Sequence, residues 1–316
     1  MHQAAEDARQ GGALILGLVV AGPTGSGKTE LAAALARKLG GEIVSADSRQ
    51  VYRGLDAATA KHRPEGVPCH LLDIASPEEP FDVGRFLREA VTAARGIRAR
   101  GRVPIVVGGS GLYVKAFLEG LSDLPGRDEA VRATLSAEFE KDGELSMRRR
   151  LATVDPSTEQ AIPIGNRQRL IRALEVLELT GEPISKAWSR RRDAAPGRWL
   201  ALRIDWPAEQ LRARLTQRCR AMWPALLAET RALSRRYTGR EPGFESLGYR
   251  EAFAVVAGRL PEAEGAARFL SATLRYAKRQ RTWFRRQLKG EAIEGGPMEH
   301  MIIQALRALK RAEVRA

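Results

Sequence analysis

The octapeptide Gly22-Pro23-Thr24-Gly25-Ser26-Gly27-Lys28-Thr29 has the spacing G-x-x-x-x-G-K-[ST]. Its chemistry is anion binding. Glycines let the backbone curl until several N–H groups point inward. A helix opening at the loop adds the partial positive charge of its N-terminus. Lys28 brings a mobile full charge, and Thr29 brings a hydroxyl able to ligate Mg²⁺, as in nucleotide-binding (ATP-binding) P-loops. The spacing alone does not say which phosphate compound is held.

Two more residues could act on a ligand seated there. Asp47 follows the apolar run Glu42–Ala46, and Ser110 follows Val103–Val107 within Gly108-Gly109-Ser110-Gly111. Ligands of open α/β sheets sit beyond the carboxyl ends of strands, so both residues fall near the loop. A carboxylate there can accept a proton, and a hydroxyl can orient a nucleophile. The same two residues could equally cap the next turn and the next helix. Motor-type ATPases need an apolar strand ending in a metal-organising Asp, often beside a Glu. Val103–Val107 runs into glycines with no acid, and Leu71-Leu72-Asp73 imitates such an end without the Glu. A motor ATPase is disfavoured. A nucleotide or small-metabolite kinase and a non-catalytic, nucleic-acid-binding P-loop protein remain open.

Near the C-terminus, Arg275 to Lys289 holds seven basic residues and no acid, with Tyr276, Trp283 and Phe284 interleaved. Leu274, Ala277, Phe284 and Leu288 fall on one helical stripe, which leaves the cations outside. That is a ribose-phosphate footprint, or an ordinary amphipathic helix with a wet basic face. The runs Arg148-Arg149-Arg150 and Arg190-Arg191-Arg192 read as solvated faces. The whole chain of 316 residues carries a formal charge of +14, which favours polyanionic partners.

These residues need a scaffold. Leu14–Ala21, Glu42–Ala46, Val103–Val107 and Leu200–Ile204 read as buried strands, each followed by polar or Gly-rich residues and then a helical pattern. Leu31, Leu35 and Leu39 mark a helix stopped by Gly40-Gly41, and Phe86, Ala90, Ala94 and Ile97 mark another. Strands alternating with helices predict an α/β fold, a parallel sheet covered on both faces. From Leu124 to about Gly181 only helices are expected. Asn166 is a plausible cap, Leu170, Leu174 and Leu177 share a face, and Gly181 and Pro183 close the segment. The expected division is therefore a core of residues 1–123 and 183–316 with a helical insertion at 124–182. Beyond Pro207 the chain reads mostly helical, and the tail after Gly290 is left unassigned. Met1–Gly12 reads as a loose polar extension. Two cysteines, Cys69 and Cys219, argue against a disulfide scaffold and a Cys-rich zinc site and fit a cytoplasmic protein. Leu14–Ala21 is too short to span a bilayer, so no membrane segment is expected. The expected state is a monomer.

The motifs together resemble those of bacterial tRNA dimethylallyltransferases. They are the P-loop, Asp47-Ser48-Arg49-Gln50-Val51-Tyr52, Gly108-Gly109-Ser110-Gly111-Leu112-Tyr113, Arg167 to Glu175, Gly248-Tyr249-Arg250-Glu251 and Lys278-Arg279-Gln280-Arg281-Thr282-Trp283. The resemblance covers about residues 14 to 290. It implies a P-loop kinase-like core with a helical insertion, Mg²⁺ dependence, and transfer from dimethylallyl diphosphate to N6 of the adenosine 3′ of the tRNA anticodon. The loop Gly22–Thr29 would then hold the donor's diphosphate, and ATP is not the expected substrate. It further implies that Asp47 is the base or acceptor for N6, with Ser110 standing where the family usually has Thr. Lys28 and Arg218 would grip the diphosphate, Arg214 one turn earlier would assist, and Thr29 would ligate the metal. The implied tRNA contacts are Asp47, Ser48, Arg49, Gln50 and Ser110, and in the insertion Arg132, Gln168, Arg169, Leu170, Ile171 and Arg172. They continue with Glu245 to Arg250, among them Ser246, Gly248, Tyr249 and Arg250, then with Lys278 to Arg285, among them Lys278, Arg279, Gln280, Arg281, Trp283 and Arg285. If the basic segment tracks a phosphate backbone, RNA affinity measured by filter binding should fall by orders of magnitude between about 50 and about 200 mM salt. A flat salt dependence would count against it.

Overall fold

The run preceding the glycine-rich loop is strand β1 (Ile15–Ala21). A strand sends alternate side chains to opposite faces. Leu18, Val19, Val20 and Ala21 are all buried, so both faces of β1 are covered. The computed structural model describes residues 15–122, 124–188 and 194–314. The further strands are β2 (Gly41–Ser45), β3 (Cys69–His70), β4 (Val103–Gly108), β5 (Arg198–Asp205) and β6 (Glu291–Glu294). They form one parallel sheet in the order β3-β2-β4-β1-β5-β6. The α/β class with a parallel sheet is thus the one adopted. Helix α1 (Lys28–Leu39) leaves the loop at Gly27 and ends at Gly40, both left-handed (φ 82° and 63°). Helix α2 (Val83–Ala99) starts where the Asp82 side chain accepts from the Arg85 N–H, and α3 (Gly111–Glu119) follows β4.

This strand order positions the chemistry. Strand β4 lies between β2 and β1, so the end that leads to Ser110 sits between the ends that lead to Asp47 and the loop. Gly108 is required there, because a Cβ would stand 2.0 Å from the Ala46 carbonyl oxygen. The run Leu71-Leu72-Asp73 is not a metal-organising strand end. Strand β3 stops at His70, Leu71 and Asp73 turn through left-handed backbone, and Lys61 and Arg63 both pair with the Asp73 carboxylate.

Two compact units divide the chain: residues 1–118 with 195–316, and residues 119–194. The second unit is all helical among its described residues. It holds α4 (Glu129–Val154), broken at Gly143 (φ 78°), α5 (Pro156–Ala161), α6 (Arg167–Thr180) and α7 (Ile184–Trp188). The Asn166 side chain caps α6 by accepting from the Arg169 N–H at 3.3 Å, and Gly181 (φ 69°) closes it. Leu135, Met147, Leu151, Leu170 and Leu174 form its core. The fully buried Glu175 sits beside that core. It accepts from the Asp128 N–H, Arg132 and Arg172, each at 2.9 Å. In the Arg148–Arg150 run, Arg148 pairs with Glu144 and Glu159, and Arg150 pairs with Glu138 and Glu178. Residues Met1–Gly12 and Arg190–Arg192 lie outside the described residues.

In the first unit the chain continues from β5 into α8 (Ala208–Leu233), α9 (Tyr249–Val256), α10 (Glu262–Gln287) and α11 (Met298–Val314). Helices α8, α9 and α10 bury a second core of Trp223, Leu226, Phe244, Tyr249, Phe253 and Phe269. Beyond Pro207 the chain is mostly helical, and the tail left unassigned after Gly290 begins with β6, a four-residue strand too short to announce itself by alternation. It adds to β5 as the sheet edge, and α11 joins the sheet core through Met301 and Ala305. No described helix is long and apolar enough to cross a membrane.

Burial alone would raise the Glu175 carboxyl, but the bonds from Arg172 and the Asp128 N–H and the two arginine charges take it below its usual value. A depressed carboxylate contributes stability above its unfolded pKa and loses it as pH falls. Glu175→Leu should therefore cost about 3 kcal/mol at neutral pH. The deficit against wild type should shrink as pH drops below about 4. Hydrogen exchange of the α4 and α6 amides reads both effects.

Candidate active site

A loop that aims its N–H groups at an anion turns its carbonyl oxygens away, and these need donors of their own. Three distant side chains meet the loop backbone. The Trp206 indole, just past β5, donates to the Ser26 oxygen at 3.0 Å. The Arg214 Nε donates to the Gly25 oxygen at 3.1 Å while its guanidinium lies 4.5 Å over the Trp206 ring. The Gln280 Oε1 accepts from the Thr24 N–H at 2.9 Å. Leu215 presses on Gly25, where a Cβ would stand 2.7 Å from it. Arg214 thus supports the loop through the Gly25 carbonyl, a form that the assisting role expected of it can take. The Ser26 hydroxyl is buried without a hydrogen-bond partner. The Lys28 Nζ rests 3.5 Å from the Pro23 oxygen. Loss of water pushes this ammonium below the ordinary lysine value; Asp47 opposes the shift, Arg218 adds to it, and Glu30 opposes it. An incoming diphosphate would favour the charged ammonium by placing an anion beside it. Arg218 lies within electrostatic reach of Lys28, its Nε 3.4 Å from the Met222 sulfur.

Asp47 and Ser110 are brought together. Asp47 Oδ1 accepts from the Arg49 N–H at 2.9 Å, the turn-capping alternative, which leaves its second oxygen uncommitted to that turn. Ser110 does not cap its own helix with its hydroxyl. Its Oγ accepts from the Ser48 N–H at 3.1 Å and lies 3.3 Å from the Ser48 hydroxyl. The two strand-end loops are thereby stitched together. A small pocket opens among Lys28, Thr29, Asp47, Gln50, His62 and Cys69, floored by Gly108. Among the described residues no three His, Cys, Asp or Glu side chains cluster as a metal cage.

Other expected contact residues separate by exposure. Arg169, Gln168, Arg250, Lys278 and Arg279 are exposed. Arg49 reaches Pro242 and Glu245, its nitrogens 3.1 and 3.2 Å from their oxygens. Gln50 is held inside by Ser45 and by the Thr59 carbonyl. Arg285 and Arg281 pair with Asp205 at 2.7 and 3.5 Å. Trp283 packs on Gly111, where a Cβ would meet the indole at 2.5 Å. Arg132 and Arg172 spend a nitrogen each on Glu175. Leu170, Ile171, Gly248 and Tyr249 are buried, Ile171 beside the surface hollow that Arg132 and Gln168 also line. Leu170 and Ile171 build the α6 core, Gly248 (φ 91°) opens α9, and the Tyr249 hydroxyl bonds Glu229. Sequence reading gave no site role to Trp206, and gave Tyr276 and Gln280 a place only in the basic RNA-contact segment, not at the phosphate loop. Tyr276 and Gln280 were visible inside the basic segment, and Trp206 only as the residue after a strand end. Burial, reinforced by nearby Asp47, pushes the Tyr276 phenol up to about 12.

The family model described as IPP transferase matches residues 50–287. A tRNA dimethylallyltransferase of Anaeromyxobacter dehalogenans is 48% identical over 276 residues, 85% of this chain and 90% of that protein. One from Salinispora tropica is 41% identical over 318 residues, covering 98% of each. Among solved structures, the full-length tRNA isopentenylpyrophosphate transferase of Bacillus halodurans superposes with TM-score 0.68 at 33% identity, over 95% of this chain and 99% of that one. A eukaryotic dimethylallyltransferase acting on tRNA superposes with TM-score 0.77 at 25% identity, over 92% and 76%.

Lys28→Met should weaken binding of inorganic diphosphate at least about tenfold, the scale of a lost charge-assisted hydrogen bond. Isothermal calorimetry measures this, and an unchanged dissociation constant would remove Lys28 from the anion site.

Proposed function

The chain belongs to the IPP transferase family, and from that membership we propose that it moves the dimethylallyl group of dimethylallyl diphosphate to N6 of the adenosine immediately 3′ of the anticodon. The acceptors would be tRNAs reading codons that begin with U, and the products N6-dimethylallyladenosine and diphosphate. One observation carries the reading: Lys28 and Thr29 of the anion loop and Asp47 of the neighbouring strand end line the same pocket. A donor diphosphate and a proton acceptor can therefore meet at one place.

An exocyclic amine is a poor nucleophile while its base is paired or stacked, so the adenine must leave the stack. Its N6 lone pair then forms the bond to C1 of the donor while the C1–O bond breaks, and the electron pair leaves with the diphosphate. Lys28, Arg218 and the loop N–H groups face the charge that accumulates there. Asp47 orients the amine and takes its proton once the new bond makes it acidic. The Ser110 hydroxyl, held at the Ser48 turn beside it, can orient the same amine. Excluding water protects the allylic centre from hydrolysis.

A divalent metal fits the donor set without a protein cage. Mg²⁺ prefers oxygen ligands and keeps much of its water. Thr29 offers a hydroxyl, with the remaining ligands supplied by diphosphate oxygens and water. When bound, Mg²⁺ would supply further neutralisation of the leaving group. The anticodon stem-loop would lie against exposed cations such as Lys278, Arg279 and Arg250.

Asp47→Ala should lower single-turnover prenyl transfer about a hundredfold with little change in donor affinity. Unmodified tRNA is incubated with Mg²⁺ and dimethylallyl diphosphate, digested, and its nucleosides weighed. A one-dimethylallyl mass gain on adenosine that needs both donor and Asp47 is the expected result. No gain across a panel of such tRNAs, with an active control enzyme alongside, would overturn the proposal.

A further inference from the structure

Gln280 sits on α10 and is 7% exposed. Its amide spans two loops. Oε1 accepts from the Thr24 N–H at 2.9 Å, and Nε2 donates to the Gly109 oxygen at 2.8 Å. Position 109 leaves room for it, because a Cβ there would stand 2.6 Å from Nε2. An apolar side chain at 280 would leave a donor and an acceptor without these partners. The same helix carries exposed Lys278 and Arg279, and Tyr276, whose phenol lies within electrostatic reach of Asp47. One helix thus presents cations outward and pins the phosphate loop to the Ser110 loop inward.

We propose that Gln280 is a positioning residue for the transfer, resting on the reaction proposed above. It fixes the Thr24 and Gly109 backbones relative to each other. The departing diphosphate and the hydroxyl beside the amine then keep the spacing that displacement at C1 requires. Neither of its bonds is to a group that reacts.

The test uses the full chain, steady-state transfer kinetics, and calorimetry with inorganic diphosphate. Gln280→Met should keep a cooperative melt, raise donor KM roughly tenfold and lower kcat by about tenfold or more. Gly109→Ala should do the same by displacing the amide. Gln280→Glu supplies a pH signature. Its protonated carboxyl can accept from Thr24 and donate to Gly109, as the amide does. Ionised, it has no proton for Gly109 and sets a negative charge beside the diphosphate. Lys28 lies beside Gly109, and Tyr276, with Asp47, Arg49 and Arg279 in its electrostatic reach, neighbours Gln280 on α10; all are common to both proteins, so the ratio to wild type isolates the new carboxyl. That ratio of kcat/KM should approach one at acid pH and fall as pH rises. The inference is overturned by wild-type KM and kcat in Gln280→Met, or by a Gln280→Glu ratio that does not change with pH. If Gln280→Met fails to fold, the Glu profile decides alone. Wild-type protein that binds diphosphate but prenylates nothing would instead overturn the reaction assignment.

Discussion

The structure depends on how an anion-binding loop disposes of its own carbonyl oxygens. Curling the backbone so that N–H groups converge leaves the opposite dipoles unsatisfied, and an enclosed loop cannot leave them all to water. Here Trp206 and Arg214 take two of those oxygens. Arg214 is in turn steadied by the ring it covers, and Trp206 by its place after β5. The loop's shape is therefore set from outside, by residues far along the chain. Parallel strands make this possible, because they bring remote segments to one end of the sheet.

Much of the fold was legible because its cues are local. Four apolar runs became strands within one or two residues of their expected limits, and Asn166, Gly40 and Gly181 stopped or started the helices assigned to them. The phosphate loop, Asp47 and Ser110 were legible as chemistry because residue type and strand-end position coincide. The props of the loop were not, since nothing near Gln280 signals a bond to Thr24, 256 residues away. Motif resemblance also merged two kinds of residue. Tyr249 and Leu170 belong to the same motifs as Arg250 and Arg169, yet the first pair fills cores and the second faces solvent. Burial separates them, and burial is a property of the fold.

The helical unit shows the same economy of charge. Glu175 lies beside an apolar cluster and is tolerable only because two guanidinium groups and an N–H surround it. Arg132 and Arg172 are therefore each already engaged by this carboxylate. Each retains further N–H groups, so a phosphate could still be met, but from a fixed direction. The unpaired choice of rotamer is left to residues such as Gln168 and Arg169 on the exposed side of α6.

The order in which the chain leaves the ribosome gives these long-range props a consequence. The phosphate loop is made well before its buttresses: Trp206 and Arg214 come 180 and 189 residues after the loop carbonyls they bond, Gln280 256 residues after Thr24, and Met298 and Met301, whose methyls flank Gly27, later still. A nascent chain thus exposes a complete motif long before it owns a complete cradle. A product cut short before Trp206 would carry the loop's motif without the side chains that hold its backbone in shape.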